Sequence, residues 1–143
     1  MTQKIAQEIS FDPRLSADSF GVGKLALCEV RLQDDARFPW LVLVPQREGA
    51  VELFELSASD RAAVMEEIAQ VSAALRAVTQ CLKINVGALG NIVRQLHIHI
   101  VARNEGDAAW PGPVWGSGAR IPYSETELGE LIARLRSALA MRA

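Results

Sequence analysis

The sequence predicts an α+β fold, an antiparallel sheet crossed by one long helix, with a shorter helix near the end of the chain. Three observations carry that expectation. The run FPWLVLV at 38–44 is nearly continuous apolar and reads as a strand buried on both faces. Val64, Ile68, Val71, Leu75, Val78 and Leu82 recur at alternating spacings of four and three, which lays one apolar stripe along a helix. Leu128, Leu131, Ile132, Leu135 and Leu139 repeat that pattern within a terminal helix expected at about 124–141.

Residues 1–23 are mixed and punctuated by Pro13, Gly21 and Gly23, so they predict at most a short helix or strand ahead of a loop. The run LALCEVRL at 25–32 has strand composition, and Asp34-Asp35 supply a turn after it. With 38–44, which Pro45 ends, it predicts a hairpin with a short polar connection. Ser57 followed by Asp60 fits a capping box, in which hydroxyl and carboxylate satisfy open N–H groups of the first helical turn. Few breakers follow, and the helix is expected to run to about Thr79. Residues 82–86 and 93–102 are the next strands, joined by the turn-like Gly87-Ala88-Leu89-Gly90-Asn91. The loop GDAAWPGPVWGSGAR leads to a second capping box at Ser124 and Glu127. Both amphipathic stripes need a surface to cover, and the strands provide it.

A chain of 143 residues suits a single domain spanning 1–143, with its core at about 25–116. Half the residues are apolar and 22% are charged, a globular balance that excludes a disordered chain. A net charge of -2 without a basic stripe argues against nucleic acid as a partner. The basic neighbourhood of Arg134, Arg136 and Arg142 reads as a solvated helix face, and Arg47 with Glu48 as a surface pair. No apolar run reaches the length of a membrane span, and MTQKIAQEIS lacks the apolar core of a secretory signal. The expected compartment is the cytoplasm. Cys28 and Cys81 make no CxxC and lie in apolar runs, which predicts buried thiols.

The chemistry concentrates in Gln95-Leu96-His97-Ile98-His99-Ile100-Val101, which holds both histidines of the chain. On a strand Gln95, His97 and His99 share one face and Leu96, Ile98 and Ile100 the other. A row of polar groups backed by an apolar face is a poor core, because a buried polar group needs a partner or a purpose. The bland alternative is an exposed sheet face carrying surface histidines. A neutral imidazole can attack phosphorus, leave again and change protonation near neutral pH. A second histidine two residues on reaches the same phosphate, and backbone N–H groups around Gly87 and Gly90 extend an anion cradle. Nothing resembles a P-loop and no acidic cluster suggests a metal site, so neither cofactor nor metal is expected.

QLHIHIV resembles the histidine-triad (HIT) signature, HφHφHφφ with φ apolar. The likeness extends to Asn85-Val86-Gly87 and Gly90-Asn91 upstream, to WLVLVP with the long helix, and to Trp110-Pro111 downstream, as in the Hint branch. It covers roughly residues 25–116 and is closest to short bacterial stand-alone members carrying AWPGPVWG. The resemblance implies a HIT-like meander and a hydrolase or nucleotidyltransferase acting on the α-phosphate of a purine nucleotide conjugate. It implies His97 as the nucleophile that becomes nucleotidylated and His99 as a phosphate contact. Asn85, Gly90 and Asn91 match positions touching the ribose–phosphate, Asp34 a position meeting the ribose hydroxyls, and Trp110 one bordering the nucleotide pocket.

The chain departs from the family pattern at Gln95, in place of the first histidine, at Trp40, where many relatives have another histidine, and at Ile92, where serine or threonine is usual. In the family the main-chain carbonyl at the first triad position orients the nucleophile, and that carbonyl survives the change to glutamine. Help in protonating the leaving group is what the departures weaken, an effect of about 10²–10⁴-fold. Two alternatives stand beside the enzyme: a purine-nucleotide-binding module with little turnover, and a structural or interaction protein. The apolar, Gly-broken Trp-Pro loop further suggests a homodimer, since interfaces are enriched in aromatic residues.

Overall fold

The computed structural model describes residues 9–141. Residues 1–8, Arg142 and Ala143 lie outside the described residues. The elements in chain order are α1 (Pro13–Ala17), β1 (Ser19–Lys24), β2 (Cys28–Gln33), β3 (Trp40–Pro45), α2 (Ala58–Thr79), β4 (Lys83–Gly87), β5 (Ile98–Arg103) and α3 (Glu125–Ala138), with a single 3-10 turn at Leu53–Glu55. The strands form one antiparallel sheet in the order β1-β2-β3-β5-β4. The α+β architecture is the one the sequence predicts.

Every residue of β3 is buried, because both faces of the sheet are covered. Toward the helices, Val30, Leu32, Leu41, Leu43, Ile98 and Ile100 meet Val64, Val71, Ala74 and Leu75 of α2, Leu135 of α3 and its capping residue Leu139. On the opposite face Trp40, Val42, Val44 and Val101 pack with Phe38, Val114, Phe11 and Leu15. That second layer comes from loops and from the N-terminal segment, with Leu15 of the short helix α1, and not from a second sheet.

The capping at Ser57 is half the predicted box. Its hydroxyl accepts from Asp60 N–H, but the Asp60 carboxylate turns to Arg47 at 2.7 Å. Glu48 in turn accepts from Ser10 N–H, so Arg47 and Glu48 are not a pair. Arg134 and Arg136 are not merely solvated either. They donate to the carbonyls of Val78 and Val22 at 2.6 and 2.7 Å and so tie α3 to α2 and β1. The helix stripe also conceals Glu67, whose buried carboxylate accepts from the N–H groups of Leu27 and Cys28 at 3.0 and 2.9 Å. Burial, reinforced by Glu67, pushes the Cys28 thiol up to about 12, and both cysteines are buried thiols as expected.

Two sequence expectations change. The N-terminal segment supplies both a helix and a strand, with Val22 buried despite the flanking glycines. The strand expected at 93–102 begins only at Ile98. Ahead of it Gly90 adopts a left-handed φ of 73°, and Leu96 N–H donates to Ala50 O instead of continuing the ladder.

Candidate active site

The register of β5 fixes where His99 stands. His99 pairs with Val42 of β3 and Gly87 of β4, and Trp40 pairs with Val101. With Ile98 and Ile100 in the helix-side core, His99 turns to the loop-covered face, and His97 stands just ahead of the strand on the same side. The two rings lie 4.9 Å apart, both with under a tenth of their surface exposed.

A cavity of about 430 Å3 opens over them, walled by Gln33, Trp40, Leu89, Ile92 and Trp115 and rimmed by Arg37. Trp115 meets the rings of His99 and Trp40 edge-on at 5.5 and 6.2 Å. Gly87 permits that approach, since a Cβ there would lie 3.0 Å from the Trp115 ring. Gly90 is equally constrained, by its φ and by a Val93 carbonyl 3.2 Å from where its Cβ would be. The Trp115 Nε1–H is buried and donates to no protein group among the described residues.

Hydrogen bonds define the chemistry of both imidazoles. The carbonyl oxygen of Gln95 lies 2.6 Å from His97 Nδ1. A carbonyl only accepts, so Nδ1 carries a proton and in the neutral ring Nε2 keeps its lone pair. His99 Nδ1 lies 2.9 Å from the indole Nε1 of Trp40. Burial, aided by neighbouring His97, brings the His99 pKa down to about 4. One imidazole is thus held at Nδ1 by a backbone carbonyl, beside another that stays neutral.

A HIT domain model matches residues 14–106. This chain belongs to the HIT domain family. The HIT chain is 50% identical to a histidine triad protein from Sinorhizobium meliloti 1021, with a TM-score of 0.89 over 90% of this chain and 96% of that one. It is 46% identical to a histidine triad protein from Bradyrhizobium japonicum, TM-score 0.89, covering 91% and 97% of the two chains. A histidine triad protein from Marinobacter aquaeolei VT8 is 37% identical, TM-score 0.90, covering 94% and 98%. No curated protein matches the HIT chain.

Of the residues singled out from the sequence, His97, His99, Gly90 and Asn91 line the cavity of this HIT domain. Four others do not, each for a visible reason. The Gln95 side chain turns away, its Oε1 accepting from Asp12 N–H at 2.7 Å and its Nε2 donating to Ser10 O at 3.1 Å. Asn85 accepts from Arg103 at 2.9 Å. Asp34 is held by Arg120 and the N–H of Tyr123, and it is Asp35 that reaches the cavity wall. There burial pushes the Asp35 carboxyl up, but the hydrogen bonds and charge of Arg37 together with the Ile121 N–H hold it below its usual range. Trp110 sits against the guanidinium of Arg103, and Trp115 takes its place at the cavity. Arg103 itself is fully buried in a bidentate pair with Asp107.

Sequence reasoning missed Gln33 and Arg37, and of the two adjacent acidic residues it ranked Asp34 ahead of Asp35. The alternation of β2 held part of the signal. With Val30 and Leu32 facing the helices, Arg31 and Gln33 had to share the face of the histidines.

Proposed function

We propose that this HIT protein is a nucleotide hydrolase or nucleotidyltransferase that works through a covalent nucleotidyl intermediate on His97. The observation that carries the reading is the Gln95 carbonyl on His97 Nδ1, which leaves Nε2 with a lone pair beside a cavity of nucleotide size. In the first step Nε2 forms a bond to the α-phosphorus as the bond from phosphorus to the leaving group breaks, the leaving group keeping the electron pair. In the second, a water oxygen attacks the same phosphorus and the electron pair of the N–P bond returns to Nε2. The product is a nucleoside monophosphate. The substrate class is a purine nucleoside phosphoramidate, dinucleoside polyphosphate or acylated nucleotide. Mass spectrometry of protein quenched with adenosine phosphoramidate tests this directly: an adenylyl adduct on the His97 peptide is expected, absent from His97→Ala. Turnover with no adduct, or turnover surviving in His97→Ala, would refute it.

Slow turnover is favoured by one specific observation. Gln95 points out of the cavity and Ile92 contributes no hydroxyl, so neither supplies a proton to the leaving group. A binding module with the same nucleotide pocket is the limiting case.

The proposed assembly is a homodimer, though not through the loop the sequence suggested. That loop packs onto its own sheet, with Val114 buried and Trp115 over His99. The apolar surface lies elsewhere, where Phe54, Val86, Leu89 and Ile92 are exposed around edge strand β4. Light scattering giving twice the chain mass of 15.6 kDa supports the dimer, and the chain mass itself refutes it. No helix among the described residues is long and apolar enough to cross a membrane, and the proposed compartment is the cytoplasm.

A further inference from the structure

Trp40 reaches His99 on a diagonal. The two residues are not register partners, because Trp40 opposes Val101 and His99 opposes Val42. Diagonal neighbours across an antiparallel pair are bridged only by long or aromatic side chains. The indole spans the gap, with its Nε1 2.9 Å from His99 Nδ1 and the ring centroids 5.6 Å apart.

From this contact we infer that Trp40 is a positioning residue that locks His99 as the neutral Nε2–H tautomer, a fixed donor to a non-bridging phosphoryl oxygen and not an acid. An indole N–H only donates, so Nδ1 must accept and the single proton of the neutral ring sits on Nε2. Protonation would put an N–H on Nδ1, facing the indole N–H, and would sacrifice the bond. The surroundings add no compensation. His97 lies beside it ahead of β5, Asp35 and Arg37 come from the β2–β3 connection, and Arg120 from the segment before α3. The one carboxylate of that set at the cavity wall is taken by Arg37. Gly87, Val42 and Trp115, which also border the ring, carry no ionisable side chain. His97 and His99 therefore hold opposite tautomers, a lone pair next to an N–H. The leaving group must take its proton from water or from the substrate itself. The donor role rests on the proposed reaction, whereas the tautomer does not.

Nitrogen-15 histidine spectra of the free protein test the lock without any turnover. At neutral pH the wild-type His99 is expected to show a protonated Nε2 and a bare Nδ1. Trp40→Phe keeps an aromatic ring but removes the donor. It is expected to mix the two tautomers and to raise the His99 titration midpoint by about one pH unit, the size of a lost neutral hydrogen bond. A wild-type ring protonated at Nδ1 overturns the inference, even if Trp40→Phe does not fold. An unchanged tautomer and midpoint in a folded Trp40→Phe protein reduce Trp40 to packing and overturn it too. Adenosine monophosphate at saturation should move the His99 Nε2–H resonance. Movement elsewhere in the cavity without it overturns the donor role, whereas no movement anywhere refutes the nucleotide reading and leaves the tautomer standing.

Discussion

Acidification should destabilise the protein through His99 before its carboxylates are affected. The ring is buried and its pKa is brought down to about 4, against an ordinary 6.5 that the unfolded chain recovers. Between those values the unfolded state binds a proton that the folded state refuses. Stability is therefore complete above about pH 6.5 and is lost as the pH falls toward about 4. At about 1.4 kcal/mol per pH unit, the gap is worth about 3 kcal/mol. That is a large part of the total stability of an ordinary domain, about 5–15 kcal/mol. Asp12, Asp35, Asp60 and Asp107 all have pKa values below the usual 3.8. Their contributions are lost mainly below that value, so only their first onset overlaps the low end of the window. Urea unfolding across the window should show the loss in wild-type protein and a flatter dependence in His99→Asn, which cannot titrate yet can still accept from Trp40. Parallel curves for the two proteins would refute the reasoning.

Glu67→Ala should cost about 2–5 kcal/mol, because it strands the buried N–H groups of Leu27 and Cys28, whereas Glu67→Gln keeps an acceptor and should cost far less; equal midpoints in urea would disprove the assignment. Gln95→His should not raise turnover, since the side chain points to Ser10 and Asp12, and should lower stability by about 1–2 kcal/mol; a faster enzyme would show that position 95 reaches the leaving group. Asn85→Ala should lower the melting temperature through the loss of its bond to Arg103 and leave nucleotide affinity by calorimetry within about twofold.

The parts of the fold that were legible in the sequence are those where one physical signal dominates. An all-apolar run in β3, the four-and-three stripe of α2 and the serine caps of both long helices each arise from burial or from open N–H groups. The illegible parts are those where two signals compete. Gly21 and Gly23 hide β1, which takes its place from pairing with β2 and from one buried valine. The alternation from residue 93 suggested a longer β5, but the left-handed Gly90 and the bond from Leu96 to Ala50 divert the chain until Ile98. At the site, the histidines announced themselves by type and spacing. Asn85, Asp34 and Trp110 were harder to place, since a motif does not reveal when a polar side chain is already occupied by a neighbour such as Arg103 or Arg120.

The same distinction explains why a glutamine can stand at position 95. A residue there contributes two separable things: a side chain, whose chemistry depends on its type, and a carbonyl, which every residue has. The carbonyl alone orients His97, and its position depends on the chain path from Gly90 to Ile98. The side chain is released from the site and is used to hold the N-terminal segment, whose Phe11 and Leu15 help to cover the loop-side layer of the sheet. His99 shows the reverse dependence. Its state is set by a side chain, Trp40, on another strand and 59 residues away in sequence. Substituting position 95 should therefore act mainly on the stability of that covering layer, and substituting position 40 mainly on the electronic state of the site. A motif read residue by residue ranks the two positions the other way round.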